Sequence, residues 1–162
     1  MKKMKNKDSQ QWGFTLVELL ISLSIIAIVS VIGFTNLTGT REKMAVDLEV
    51  EKIATYLRSV RDRAIAGEDD SSWGVRFVNN LSDDDVYYCF KGLSFSSSSI
   101  VETRYLSKKT QLAIPPVGST TDIIFIKGTG NVNATSTIRV QSRTNQSFFG
   151  DITVNSYGLI NY

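Results

Sequence analysis

Few side chains in this 162-residue chain could do chemistry, and the most conspicuous is a carboxylate in apolar company. Glu18 stands fifth in the run 14–34, "FTLVELLISLSIIAIVSVIGF", 21 residues with no other charge. A carboxylate deep in a membrane-spanning helix costs about 2.5–3.5 kcal/mol on insertion scales, so those that persist are usually paired and functional. The plain alternative is a side chain near an interface that reaches water and does nothing more. Acidic triplets at Glu68–Asp70 and Asp83–Asp85 offer oxygen ligands to calcium. Neither has the spacing and glycine of a calcium loop, so both read as solvated turns. Lys108, Lys109, Arg139 and Arg143 are the material for a small basic patch toward DNA.

What is missing excludes more. The chain has no histidine, which removes Ser-His-Asp and Cys-His catalysis and the commonest metal ligand. Its single cysteine, Cys89, can close neither an internal disulfide nor a paired-cysteine zinc site. The setting "VYYCF" is that of a buried small hydrophobe. The expectation is a protein without cofactor or metal, and not an enzyme. The 18 basic and 16 acidic side chains give a net charge of +2. Lys2, Lys3, Lys5 and Lys7 against Asp8 place +3 in the first thirteen residues and leave −1 for the rest. Binding to nucleic acid is therefore not expected from composition, and the positive charge is a local N-terminal signal.

The element that must hold Glu18 is a helix. At 1.5 Å per residue a 21-residue helix spans roughly 30 Å, the thickness of a bilayer core. Lysines before it and none within it favour a cytoplasmic N-terminus. The run exceeds the 7–15 apolar residues of an ordinary secretory signal, and the "FTNLTGTREK" around its end offers no small-x-small cleavage site.

A lysine-rich leader, then Gly13, Phe14, Thr15, Leu16, Val17, Glu18, then an uninterrupted apolar helix: this N-terminus resembles the class III signal of type IV pilins and type II secretion pseudopilins. The resemblance implies that a prepilin peptidase cuts after Gly13 on the cytoplasmic face and N-methylates Phe14. It also implies a role for Glu18, which would neutralise the Phe14 amine of a neighbouring subunit during assembly. The implied partners are other pilin or pseudopilin subunits, the prepilin peptidase and an inner-membrane assembly platform. The implied location is the inner membrane, crossed once with the C-terminal part extracytoplasmic, and then a pilus or pseudopilus. Many major pilins have a proline where this chain has Thr35, so the likeness is better to a minor subunit.

Beyond the apolar run the pattern becomes amphipathic. Val46, Val50, Ile53, Leu57, Val60 and Ala64 fall on one helical stripe, and Gly67 is a natural stop. These features predict one helix from Phe14 to Ala66, loosened near Gly33–Gly39, with its later half packed on its own domain. From Trp73 the period changes to two. "WGVRFV", "DVYYCF", "IVETRYL", "QLAI", "DIIFIKG", "STIRVQS", "GDITVNS" and "GLINY" read as strands separated by polar turns, hence an antiparallel sheet or small sandwich. The fold class is α+β. The expected organisation is a leader over 1–13, a membrane or filament-core helix over 14–34, its amphipathic continuation over 35–67 and a β-rich domain over 68–162.

The serine-rich stretch Ser94–Ile100 reads as a mobile loop. The succession "SVRDRAIAG", "WGVRFV" and a final hairpin "ITVNSYGLI" resembles GspH/FimT-type minor subunits. Some FimT-like subunits bind DNA through an arginine-bearing tail, but this chain ends "YGLINY" without one. The expected function is a non-enzymatic structural subunit of a type IV pilus or type II secretion filament. The alternatives are a DNA-binding competence pilin and a plain membrane-anchored extracytoplasmic protein.

Overall fold

The structure is a computed structural model that describes residues 14–162, and for 31–38 the backbone only. One long helix, α1 (Leu16–Ala66), precedes eight strands. The chain divides into two units, with the boundary after Thr38.

In the first unit α1 is apolar on every side. Leu16, Val17, Leu19, Leu20, Ile21, Leu23, Ile25, Ile26, Ile28 and Val29 are all exposed. A helix that is hydrophobic all round belongs in a core or a membrane rather than on a wet surface. Its serines are compatible with that setting. The hydroxyls of Ser22, Ser24 and Ser30 each donate to the carbonyl four residues back, at 2.7–2.8 Å, so their donors need no external partner. Across Gly33–Gly39 the backbone is helical, and the boundary between the two units falls within this segment. Isolated helix glycines cost about 1 kcal/mol each, which weakens a helix without ending it.

In the second unit the stripe Val46, Val50, Ile53, Leu57, Val60 and Ala64 is buried throughout. Gly67 ends the helix at φ 67°, ψ 29°, the left-handed conformation that glycine takes without a Cβ penalty. The strands are β1 (Trp73–Val78), β2 (Val86–Lys91), β3 (Ile100–Tyr105), β4 (Thr110–Ile114), β5 (Thr120–Phe125), β6 (Ser136–Ser142), β7 (Phe149–Val154) and β8 (Ile160–Asn161). They form two four-stranded antiparallel sheets, ordered β3-β2-β1-β5 and β4-β6-β7-β8. Alternate residues of both sheets, among them Val75, Phe77, Tyr87 and Ile123 from one and Leu112, Ile138, Val140 and Ile152 from the other, join the helix stripe in a single core. Cys89 is part of that core, and burial pushes its thiol pKa up.

Buried polar groups tie one end of the two sheets together. Asp85, only 2% exposed, accepts from the Leu112 N–H at 2.6 Å and the Asn80 N–H at 3.0 Å. Asn79 donates its amide to the Leu112 and Pro115 carbonyls, both at 2.8 Å. The reading of Asp83–Asp85 as a solvated turn therefore fails at its third residue. The serine-rich segment is also more fixed than its composition suggests. Ser96 and Ser99 form a reciprocal capping box around a 3-10 turn, and Phe95 packs edge-on against Phe90 at 5.4 Å. Phe90 in turn fills the space above Gly74, where a Cβ would lie 2.4 Å from the ring.

Candidate functional site

The candidate site is the start of α1. Phe14 and Thr15 precede the helix, and Phe14 is 83% exposed. Thr15 is the N-cap. Its hydroxyl accepts from the Glu18 N–H, one of the donors that a helix start leaves open, and its carbonyl accepts the first intrahelical bond from the Leu19 N–H, both at 3.2 Å. Thr15 and Glu18 also have the spacing of a capping box, a signal legible in the sequence. Glu18 thus sits in the first turn, where the partial positive charge of the helix end favours a carboxylate. It is exposed, and it is the only charged side chain between Phe14 and Ser30. Gly13 lies outside the described residues, as does the lysine-rich leader. Among the described residues no helix is long and apolar enough to cross a membrane. The end of the apolar run lies in 31–38, whose side chains are outside the description.

Most of the other candidates meet structural partners, while Lys108 and Lys109 are exposed. Asp69 and Asp70 pair with Lys91 and Lys127, and the Lys127 hydrogen bond holds the Asp70 carboxyl below the usual carboxylate range. Glu68 lies 3.6 Å from Arg63. Asp84 meets Arg143 at 3.2 Å, and Arg143 also donates to the Thr110 carbonyl. Among the described residues no group of acidic side chains could hold a metal ion. Of the basic patch, Arg139 is committed to a two-pronged contact with Asp151 at 2.7 Å across β6 and β7. Arg76 and Asp122 form the same contact at 2.6 Å across β1 and β5.

A shallow cleft of about 480 Å³ opens between α1 and β3, lined by Leu48, Glu51, Lys52, Tyr56 and Arg104 among others. At its floor the Tyr56 hydroxyl donates to Glu102 at 2.7 Å, and Arg104 donates to the other Glu102 oxygen at 2.9 Å. The Tyr56 and Arg104 contacts hold the Glu102 carboxyl below its ordinary range. No nucleophile, base and orienter converge there. Asp85, Asn79 and these cross-strand pairs had no local signal in the sequence, because their partners lie far along the chain or across a strand.

The family model for the prokaryotic N-terminal methylation motif matches residues 9–34, the stretch that holds Gly13, Phe14 and Glu18. The fold is similar to that of a solved type IV minor pilin. Two crystal forms of the minor pilin FimU from Pseudomonas aeruginosa (strain PAO1) superpose on this chain. One, at 12% identity, has a TM-score of 0.51 and covers 71% of this chain and 90% of that one. The other, at 11% identity, has a TM-score of 0.52 and covers 72% and 86%. No curated protein matches the chain. Motif and fold together support a type IV pilin-family protein whose β-rich unit is built like that of a minor pilin.

Proposed function

We propose that this chain is a minor pilin or pseudopilin, a structural subunit of a type IV pilus or type II secretion filament. In this reading prepilin peptidase cuts after Gly13 on the cytoplasmic face and methylates the new Phe14 amine. The subunit waits in the inner membrane with its β-rich unit outside the cytoplasm, then enters the filament through an assembly platform. Neighbouring helices cover one another's apolar surface, and Glu18 meets the Phe14 amine of the next subunit. The observation that carries the reading is Glu18 itself, a lone carboxylate in the first stretch of α1, which is apolar on every side, within a matched methylation motif. An ammonium and a carboxylate that are each costly in an apolar medium become tolerable when paired.

The DNA-binding alternative draws no support from Arg139 and Arg143, whose guanidinium groups already face Asp151 and Asp84. The test of the proposal is the intact mass of the protein from its native membrane, with and without the peptidase. A peptidase-dependent chain that starts at methylated Phe14 supports it. A chain that still starts at Met1 leaves a plain membrane anchor.

A further inference from the structure

The sheet β3-β2-β1-β5 ends in two edge strands, and β3 is one of them. An edge strand directs half of its N–H and C=O groups away from the sheet and so invites another strand to pair. Proteins usually blunt such edges with proline, lysine or a crowd of like charges. In Ile100–Tyr105, "IVETRY", there is neither proline nor lysine, the charges are one of each sign, and the bulge opposite Cys89 and Phe90 is confined to its first two residues, with Glu102–Tyr105 in regular register on β2. Their arrangement is symmetric. Around Thr103 the neighbours are Glu102 and Arg104, and beyond them Val101 and Tyr105.

Laid antiparallel against itself with Thr103 opposite Thr103, the strand puts Glu102 opposite Arg104 twice and Val101 opposite Tyr105 twice. Opposite charges, an aromatic facing a β-branched residue, and Thr facing Thr are the cross-strand pairs that stabilise sheets. The side chains are placed for it. Val101 is 48% and Tyr105 64% exposed, and Thr103 is exposed between them. Glu102 and Arg104 share the opposite face, where they already touch at 2.7 Å beside the open cleft along α1. The other edges lack this property. Thr120–Phe125 holds Asp122 and no cation to face it. Thr110–Ile114 is uncharged, and Ile160–Asn161 has only two residues.

We propose that β3 is a docking edge for the β3 strand of a second copy of this chain, antiparallel, with Thr103 on the two-fold axis. The pairing extends a four-stranded sheet to eight strands. A six-residue edge contact buries little area, so the dimer is weak and gains most where many copies are held close together. A two-fold axis normal to the sheet reverses every direction that lies in the plane of the sheet. The contact therefore suits copies that approach from opposite directions, and not neighbours aligned the same way in one filament.

The test is disulfide trapping of the full chain in mild detergent. Residues directly opposite across an antiparallel pair are about 4.5–5.5 Å apart at Cα, within disulfide reach. Thr103→Cys is compared with Thr120→Cys on the opposite edge. Both sites are exposed and the native Cys89 is buried. The expected result is disulfide-linked dimer from Thr103→Cys at least about tenfold faster than from the control. Arg104→Glu in that background brings the rate down to the control, because Glu then faces Glu. The exchange Glu102→Arg with Arg104→Glu restores it, because the symmetry returns. Equal rates for the two cysteine variants overturn the proposal, as does an Arg104→Glu variant that is folded and cross-links unchanged.

Discussion

The two stretches of α1 that carry apolar residues differ in what finishes them. From Leu16 to Val29 large apolar side chains lie on all faces, and every one is exposed. From Val46 to Ala64 the apolar residues, Leu48 apart, lie on a face buried beneath the chain's own sheets. The later stretch is completed by its own chain, whereas the earlier one presents an apolar surface that the described residues leave uncovered. Substitutions in the two stretches should therefore report different things. In the later stretch they change folding, and in the earlier one they change association.

The largest effect on stability is expected where the stripe meets both sheets. Leu57→Ala, at a fully buried position, should lower the unfolding free energy by about 2–5 kcal/mol in urea denaturation. Leu20→Ala in the exposed run should leave the same transition unmoved. Asp85→Ala comes next, because it strands the buried Leu112 N–H away from water. The cost should be about 1–3 kcal/mol for the orphaned donor, again read from the urea midpoint.

A smaller effect is expected from Asp151, whose carboxyl the Arg139 hydrogen bond holds below its usual pKa. A folded-state pKa below the unfolded value of about 3.9 gives a contribution that is present above that pH. It is lost as the pH falls through the folded pKa. The pair is more than a third exposed on both sides, so solvent screening limits it to roughly 0.2–1 kcal/mol. Asp151→Asn should remove that acid-side dependence and leave stability at pH 7 lower by no more than this amount. The smallest effect is expected from Ser24→Ala, whose hydroxyl serves only its own helix. Unfolding and filament incorporation should both match the wild type.

Much of the fold was legible because it follows from period. The stripe at Val46–Ala64 and all eight strands could be read from spacing, and Gly67 marks the helix end where expected. Which strands share a sheet could not be read, since that depends on contacts between distant segments. Asp85 is locally indistinguishable from Asp83 and Asp84, and only the β4 backbone brought against it makes it a buried tie. The serine run hid Phe95, one aromatic whose ring lies over Arg76 at 3.8 Å and anchors the segment to the sheet. Gly33 and Gly39 stand in helical backbone, as a local cost of about 1 kcal/mol per glycine allows. At the candidate site Glu18 was legible as an anomaly of charge. The role of Thr15 as its cap was present in the Thr-x-x-Glu spacing.

The central claim is that Glu18 serves association between subunits and not the fold of its own chain. It is tested most directly by expressing wild type and Glu18→Ala with the assembly machinery and measuring the share of processed protein recovered in sheared filaments. The account predicts processed, normally folded Glu18→Ala protein that stays in the membrane fraction, with at least a tenfold drop in filament recovery. Recovery equal to wild type would contradict it, and Glu18 would then be a solvated first-turn carboxylate with no part in assembly.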